Sequence, residues 1–162
     1  MEDARPATAS DVERLAELYR QGADELTPMR GGALWAAREA RAEPLEAAYR
    51  ELVGRDDTHV VVGTIDGAAI GFGVGSVERL RDGRDLGRGD ELFVEPEARS
   101  IGVGEAIVAQ LLDFFAARGC IGADALALPG NRATKNFFEQ QGFVARALVM
   151  HKPLIAVPPD PT

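Results

Sequence analysis

Helical periodicity of apolar residues marks four parts of the chain. The predicted helices occupy residues 10–22, 34–53, 104–119 and 131–141. Ser10 and Glu13 have the spacing of a capping box at the start of the first helix, and we expect Gly22 to end that helix. Pro44 is expected to divide the second region into two helices, because proline fits best in a first helical turn.

Strands are indicated by β-branched runs and by alternation with a period of two. Residues 58–65 and 68–79 flank Asp66-Gly67, which predicts a hairpin. The second of these strands alternates Ile70, Phe72 and Val74 with glycines, so one of its faces is bare backbone that a ligand or another element can approach closely. Further strands are predicted at residues 4–8, 91–95, 123–128 and 143–151, with a polar turn at 81–89. Pro6 places the first of them at a sheet edge.

Composition narrows the possible functions. The 162 residues include 26 acidic and 18 basic ones, for a net charge of −8. This balance argues against a nucleic-acid partner and suits a cationic or amine-bearing small molecule. Cys120 is the single cysteine, so no intrachain disulfide can form. The first ten residues do not resemble a signal peptide and no apolar run reaches the length of a membrane span, so we expect a cytoplasmic protein that does not bind membranes.

Residues 99–105 combine a glycine-bearing turn with the start of a helix. Free amides and the helix dipole make such a start a good phosphate site, and glycine lets the ligand approach. The alternative is an ordinary tight turn between a strand and a helix. The chain contains no G-x-x-x-x-G-K-[ST] motif, and Gly102 and Gly104 are not followed by the third glycine of a dinucleotide-binding fingerprint.

This region resembles the GCN5-related N-acetyltransferase (GNAT) family of acyl-CoA-dependent enzymes. The segment Leu92-Phe93-Val94-Glu95-Pro96-Glu97-Ala98-Arg99-Ser100-Ile101-Gly102-Val103-Gly104 fits the family's strand, its V-x-P-x-x-R lead-in and its [QR]-x-x-G-x-[GA] loop. Asn131, Gly142 and Phe143 fit a second, downstream motif. The resemblance implies a single mixed α/β domain over residues 1–155, with a central, mostly antiparallel sheet flanked by helices and a flexible tail at 156–162.

The resemblance also implies how acetyl-CoA or another acyl-CoA would be held, without a metal. The amides of Ile101, Gly102, Val103, Gly104 and Glu105, next to Ser100, would bind the pyrophosphate, and Arg99 would assist. Backbone groups of Leu92, Phe93 and Val94 would pair with the pantetheine arm, which Asn131 would also contact. Asn131 has a second interpretation as a plain helix cap, and Arg99 as a solvated loop residue.

Phe138 departs from the family pattern. Many members have at this position a tyrosine that protonates the departing thiolate, and phenylalanine has no proton to give. We expect Phe138, with Phe137, to belong to the core and to line the acyl pocket. A thiol of pKa about 8.5 leaves tolerably as thiolate, so water can protonate it.

The acceptor amine must lose a proton before it attacks the thioester. Asp90 and Glu91 precede the strand residues implied in cofactor binding, and an acid there would act as the base. Because successive strand residues face opposite sides, only one of the two is expected to face the site, and we favour Asp90. The amide of Val94 is the expected oxyanion donor. His59, His151 and Cys120 are expected to be structural or solvated.

The sequence therefore predicts an N-acetyltransferase that transfers an acetyl or short acyl group to a primary amine of a small molecule or peptide, by direct attack in a ternary complex. Arg30, Trp35 and Tyr49 are the expected acceptor contacts. The alternative is an acyl-CoA-binding regulatory or interaction domain that has lost turnover, which Phe138 favours. A sheet edge at residues 143–151 would pair two chains into a homodimer.

Overall fold

A computed structural model describes residues 1–155. Five strands form one sheet in the order of the chain: β1 (Glu2–Pro6), β2 (Thr58–Ile65), β3 (Ala68–Arg79), β4 (Asp85–Val94) and β5 (Ala123–Ala125). The helices are α1 (Val12–Leu26), α2 (Gly32–Arg38), α3 (Leu45–Val53), α4 (Val103–Ala117) and α5 (Arg132–Gln140). Strands β1 to β4 are antiparallel and β5 is parallel to β4. The predicted mixed α/β class with a mostly antiparallel sheet is confirmed.

The chain forms two compact units. The first comprises residues 1–22 and 41–126 and contains the sheet with α3 and α4. The second comprises residues 23–40 and the chain from Ala127 onward, with α2 and α5. The predicted tail at 156–162 lies outside the described residues.

The bare face of the sheet is where α4 packs. A Cβ added to Gly63, Gly73 or Gly75 would lie 2.6–2.7 Å from side chains of α4. Ile107, Leu111 and Phe115 of that helix are buried there against Val61 and Ala4. The glycine alternation on β3 therefore serves close approach by a helix, one of the two roles that the sequence allowed.

The opposite face of the sheet is covered by α1 and α3. Phe72 contacts both Tyr19 and Tyr49, with ring centroids 6.5 Å and 6.0 Å away. Tyr49, Leu15 and Phe72 are almost completely buried. The helix periodicity of the sequence thus identified the core-facing sides of α1 and α3 correctly.

Two local signals of the sequence were confirmed. Asp66 and Gly67 have positive φ angles of 49° and 85°, as the hairpin between β2 and β3 requires. Pro44 stands immediately before α3, and helix α2 ends at Arg38, so the second helical region is divided as expected.

Helix α1 differs from its prediction at both ends. It continues past Gly22 to Leu26, because Gly22 faces β4, where an added Cβ would lie 3.0 Å from Cδ1 of Phe93. At its start the carboxylate of Asp11 accepts the N–H of Thr8 at 2.8 Å. The capping box therefore joins Thr8 and Asp11 around a 3-10 turn, Ala9–Asp11, that leads into α1, two residues before the predicted Ser10–Glu13 pair.

Three strand predictions need correction. Strand β4 begins at Asp85 instead of residue 91, because residues 85–89 pair with β3 instead of forming a turn. Strand β5 ends at Ala125, three residues early. Residues 143–151 form no strand, since no described strand pairs with them, so the sheet edge expected there does not exist.

Candidate active site

Strand β4 contains a β-bulge at Asp90. Glu91 lies opposite Val74 of β3, but Gly89 lies opposite the adjacent residue Gly75, so Asp90 is the extra residue of β4. A bulge bends its strand and redirects side chains, and it commonly occurs next to functional sites. The bulge lies immediately after Gly89, the last residue of β4 that pairs with β5.

The bulge places both carboxylates on the same face of the sheet. Val74 and Ser76 share a face of β3 because they are two residues apart. Glu91 is paired with Val74, and Oδ2 of Asp90 accepts the hydroxyl of Ser76 at 2.6 Å. The expectation that only one of the two acids faces the site is therefore wrong, because strict alternation holds only in a regular strand.

Glu91 is held by a buried network. Its Oε1 accepts the hydroxyl of Tyr49 at 2.5 Å, and both of its oxygens accept Nε of Arg41 at 3.2 Å. The peptide N–H of Arg41 in turn donates to the hydroxyl of Tyr19. Burial, and then the negative charge of Glu91, raise the pKa of Tyr49 far above its ordinary value. Tyr49 thus remains a neutral donor and Glu91 is fully engaged.

Asp90 has fewer partners than Glu91. It accepts the Ser76 hydroxyl, and Nη2 of Arg88 lies 3.4 Å from its Oδ1. The side chain of Asp90 is 23% exposed, against 11% for that of Glu91. Of the two acids, Asp90 is therefore the one whose carboxylate oxygens can accept a further hydrogen bond.

The edge of β4 beyond the bulge presents free backbone groups. The N–H of Glu95 donates to the carbonyl of Ile70, so this pair is hydrogen-bonded across β3 and β4. Because hydrogen-bonded pairs alternate in an antiparallel ladder, Leu92 and Val94 point their N–H and C=O groups away from β3, whereas Phe93 points its own toward β3. Among residues 1–155, no strand pairs with β4 on this outer side after Gly89.

Arg99 occupies one of these outward groups. Its Nε donates to the carbonyl of Val94 at 2.9 Å, and its guanidinium lies 5.6 Å from the centroid of the Phe93 ring. An extended ligand that pairs with β4 must share or displace this contact. The N–H of Val94 forms no hydrogen bond with the Arg99 side chain, because both groups are donors.

The loop after β4 leads directly into α4. Gly102, with a φ of 95°, is the N-terminal cap of the helix and has no side-chain cap, and Ser100 also has a positive φ, of 68°. Within the described part of the chain, no backbone carbonyl accepts the N–H groups of residues 100–105. Free N–H groups at the positive end of a 15-residue helix are a favourable site for a phosphate group.

A carboxylate lies next to this loop. A Cβ added to Gly102 would lie 3.3 Å from Cγ and 3.6 Å from Oε1 of Glu2, the first residue of β1. Ile101 and Glu105 of this region are exposed. Val103, the first residue of α4, is completely buried, so its side chain anchors the start of the helix to the core.

The second unit carries the remaining predicted residues. Oδ1 of Asn131 accepts the N–H of Thr134 at 3.3 Å, which confirms its role as the cap of α5. Phe138 is half-buried, with ring centroids 5.5 Å from Phe137 and 5.1 Å from Phe143. No residue of α5 is fully buried, so the expectation that Phe137 and Phe138 belong to the core is wrong.

The three residues expected to contact the acceptor have different surroundings. Arg30 is exposed and its Nη2 lies 3.5 Å from the carbonyl of Pro129, while Trp35 is half-buried in α2. Tyr49 is 0% exposed and donates to Glu91, so its placement supports a positioning role instead of direct contact. Arg41, Ser76 and Glu2 were missed, because nothing in their spacing connects them to β4.

Among residues 1–155 there is no cluster of three or more potential metal ligands. No described helix has both the length and the apolar character needed to cross a bilayer. His59 stacks on Phe114 at 5.0 Å, and burial lowers its pKa, as suits a structural histidine.

Solved structures share this fold. A tetramutant of the BH1408 protein from Bacillus halodurans superposes with a TM-score of 0.76 at 18% identity, over 93% of this chain and 99% of that one. AAC(6')-Iy, in complex with the bisubstrate analog CoA-S-monomethyl-acetylneamine, gives 0.74 at 20% identity, over 96% and 99%. Glucosamine-6-phosphate N-acetyltransferase from Arabidopsis thaliana gives 0.69 at 20% identity, over 96% and 99%.

The sequence profile of the acetyltransferase (GNAT) family matches residues 15–143. The chain therefore belongs to this family, which uses acetyl-CoA. A search of curated proteins found no significant match. The resemblance that the strand, loop and downstream motif indicated is thus confirmed for the family.

Proposed function

We propose that this protein transfers an acetyl or short acyl group from acyl-CoA to a primary amine of a small molecule or peptide. The observation that carries the proposal is the juxtaposition, within the first unit, of the open β4 edge and the free amides of residues 100–105. An extended chain that carries amide groups and ends in a diphosphate fits these two features together. The β4 edge would pair with its amide groups, and the N–H groups of residues 100–105 would bind its diphosphate.

The cofactor contacts follow from the directions of the backbone groups. Leu92 and Val94 offer outward N–H and C=O groups to a pantetheine arm, and Phe93 contributes through its side chain. The amides of Ile101, Gly102, Val103, Gly104 and Glu105, with Ser100 and Arg99 beside them, hold the pyrophosphate. Asn131 and Phe138 keep their predicted roles along the arm and beside the acyl group.

The proposed chemistry is direct attack in a ternary complex. Acyl-CoA supplies the activated carbonyl as its thioester. Asp90, directly or through a water molecule, takes a proton from the acceptor ammonium, whose nitrogen then attacks the carbonyl carbon. The N–H of Val94 stabilises the oxygen that becomes negative. As the carbon–sulfur bond breaks, the nitrogen gives up its second proton to water, and the thiolate takes its proton from water because Phe138 has none to give.

The structural neighbours support the proposal of an amine-bearing acceptor, because they include an aminoglycoside acetyltransferase and a glucosamine-6-phosphate N-acetyltransferase. The two acids on one face of β4 suit a cationic acceptor. We keep Arg30 and Trp35 as proposed acceptor contacts and assign Tyr49 to the positioning of Glu91. The cytoplasmic location stays a prediction that cell fractionation would test.

Calorimetric titration with acetyl-CoA is the first test. Wild type is expected to bind, and Gly102→Glu, which adds bulk and negative charge at a positive φ, is expected not to. Asp113→Glu, an exposed change on the same helix, is the control for folding and binding. Absence of binding by folded wild type would contradict the proposal.

Turnover separates the enzyme from the alternative, an acyl-CoA-binding domain without activity. Phe138 and the Arg99–Val94 contact are the observations that favour the alternative. The assay measures free thiol with acetyl-CoA and a panel of amines, amino acids and peptides. Thiol release that depends on an amine supports the transferase, and binding without release from any acceptor supports the alternative.

A further inference from the structure

The side chain of Arg99 lies along the outer edge of strand β4. Its Nε donates to the carbonyl of Val94 at 2.9 Å, and its Cζ lies 5.6 Å from the centroid of the Phe93 ring. Val94 and Phe93 are two of the three strand residues proposed to contact the pantetheine arm. Arg99 therefore occupies a carbonyl and a ring face that the arm would use.

The backbone of Arg99 is anchored, whereas its side chain extends from the surface. The 3-10 turn Pro96–Ala98 follows β4, and the N–H of Arg99 donates to the carbonyl of Pro96 at 3.3 Å. Ala98 is buried, whereas Arg99 is exposed. An arginine side chain has several rotatable bonds, so the guanidinium can leave Val94 while the backbone stays in place.

The proposed diphosphate site follows Arg99 directly in the chain. Helix α4 begins at Val103, and among residues 1–155 no backbone carbonyl accepts the N–H groups of residues 100–105. A diphosphate bound to these groups would lie within reach of the side chain of the preceding residue. Hydrogen bonds from a guanidinium to phosphate are charge-assisted and stronger than those to a neutral carbonyl. A diphosphate would therefore compete with Val94 for Arg99.

Acyl donors with and without a diphosphate would meet Arg99 differently. A pantetheine thioester that lacks phosphate must displace the guanidinium from Val94 and from the Phe93 ring, and it offers no anion in exchange. A CoA thioester displaces the same contacts but replaces them with charge-assisted hydrogen bonds to its diphosphate. One side chain thus opposes the first class of donor and favours the second.

We propose that Arg99 selects the acyl donor of the proposed acyl-transfer reaction, on which this inference rests. Arg99 covers the β4 edge while no donor is bound, and its guanidinium moves to the diphosphate when a CoA thioester binds. The site therefore disfavours pantetheine thioesters that have no diphosphate. The Arg99–Val94 contact, which otherwise favours a domain without turnover, then belongs to donor recognition.

The affinities for acetyl-CoA and for S-acetylpantetheine, which has no phosphate, are the first test. Arg99→Met keeps a long side chain without donors, and it is expected to weaken acetyl-CoA binding about tenfold and to tighten S-acetylpantetheine binding about threefold. Arg81→Met, the same change in the exposed turn between β3 and β4, is expected to alter neither affinity. NMR titration measures both ligands. A variant that binds S-acetylpantetheine no more tightly than wild type, or that keeps full affinity for acetyl-CoA, would overturn the proposal.

Inorganic pyrophosphate provides a second test in the wild-type protein. Saturating pyrophosphate is expected to tighten S-acetylpantetheine binding about threefold, because it draws Arg99 away from Val94, and this coupling is expected to disappear in Arg99→Met. A wild type that binds acetyl-CoA but shows no such coupling would contradict the role of Arg99 alone. A folded wild type that binds neither acetyl-CoA nor S-acetylpantetheine would contradict the proposed function and this inference together.

Discussion

The hydroxyl of Tyr49 on α3 donates a 2.5 Å hydrogen bond to Oε1 of Glu91 on β4. This bond joins a completely buried phenol to a nearly buried carboxylate. Hydrogen bonds to charged groups contribute more to stability than neutral ones. The contact therefore ties α3 to the strand that carries the candidate base.

Removal of this hydroxyl tests its contribution. Tyr49→Phe is expected to lower the free energy of unfolding by about 2 kcal/mol, because Glu91 loses a buried donor. Tyr19→Phe, which removes a neutral acceptor from the N–H of Arg41, is expected to cost about 1 kcal/mol. Urea unfolding measures both, and equal losses in the two variants would contradict the charged character assigned to the Tyr49 bond.

The two acids of β4 are expected to respond differently to amide substitution. Asp90→Asn should lower kcat by about 10² to 10⁴ with little change in stability, because it removes the general base. Glu91→Gln should chiefly destabilise the fold, since it leaves Arg41 without its carboxylate partner. Asp113→Asn on α4 is the charge control. Full activity of Asp90→Asn on a responsive amine would remove Asp90 from the mechanism.

Glu2 is expected to weaken cofactor binding. Its carboxylate lies beside Gly102, where the pyrophosphate is proposed to bind, and like charges at short distance repel. Glu2→Gln should tighten acetyl-CoA binding about threefold, a fraction of a kcal/mol in a solvated site. Glu13→Gln, the same change on α1, should have no effect in the same calorimetric titration. Unchanged affinity in Glu2→Gln would show that the carboxylate does not affect the bound phosphates.

Close packing of α4 on the glycines of β3 predicts a steric effect. Gly73→Ala is expected to destabilise the protein by about 1 to 3 kcal/mol, because the new methyl group would lie 2.6 Å from Cγ2 of Ile107. Gly122→Ala is the matched control, since a Cβ there meets no atom within 4 Å. Thermal unfolding compares the two, and similar midpoints would show that α4 moves away at little cost.

Asp11 is expected to contribute to the loss of folding stability at low pH. Hydrogen bonds from Arg5 at 2.8 and 2.9 Å, and then that from the N–H of Thr8, lower its pKa against the opposing effect of burial. A carboxyl whose pKa is lower in the folded state stabilises the fold above its unfolded pKa of about 3.9. That stability is lost as pH falls through the folded-state pKa.

The variant Asp11→Asn tests this linkage. It is expected to lower the free energy of unfolding by about 2 kcal/mol at neutral pH and to differ less from wild type in acid. Asp24→Asn, an exposed residue of α1, should leave the pH dependence unchanged. Urea titrations at several pH values measure the effect, and a constant difference across that range would contradict the assigned pKa shift.

Local features of the sequence determined much of the fold. The Asp66-Gly67 hairpin, the break at Pro44, the α4 face through Ile107 and the cap at Asn131 all depend on interactions within a few residues, and the structure confirms them. The glycine turn at residues 99–105 and its helix start are likewise local, which is why the family was evident before the fold. The expected cofactor-binding residues were then predicted from the positions that match the family's motifs.

The tertiary structure alone decided which side chains meet. The β-bulge at Asp90 depends on the register with β3, so alternation along β4 could not show that Asp90 and Glu91 share a face. The Arg41–Glu91–Tyr49 network and the Glu2–Gly102 contact join residues far apart in sequence, where spacing carries no signal. Residues 143–151 have the composition of a strand, yet a strand needs a hydrogen-bonded neighbour, and composition cannot say whether one is present.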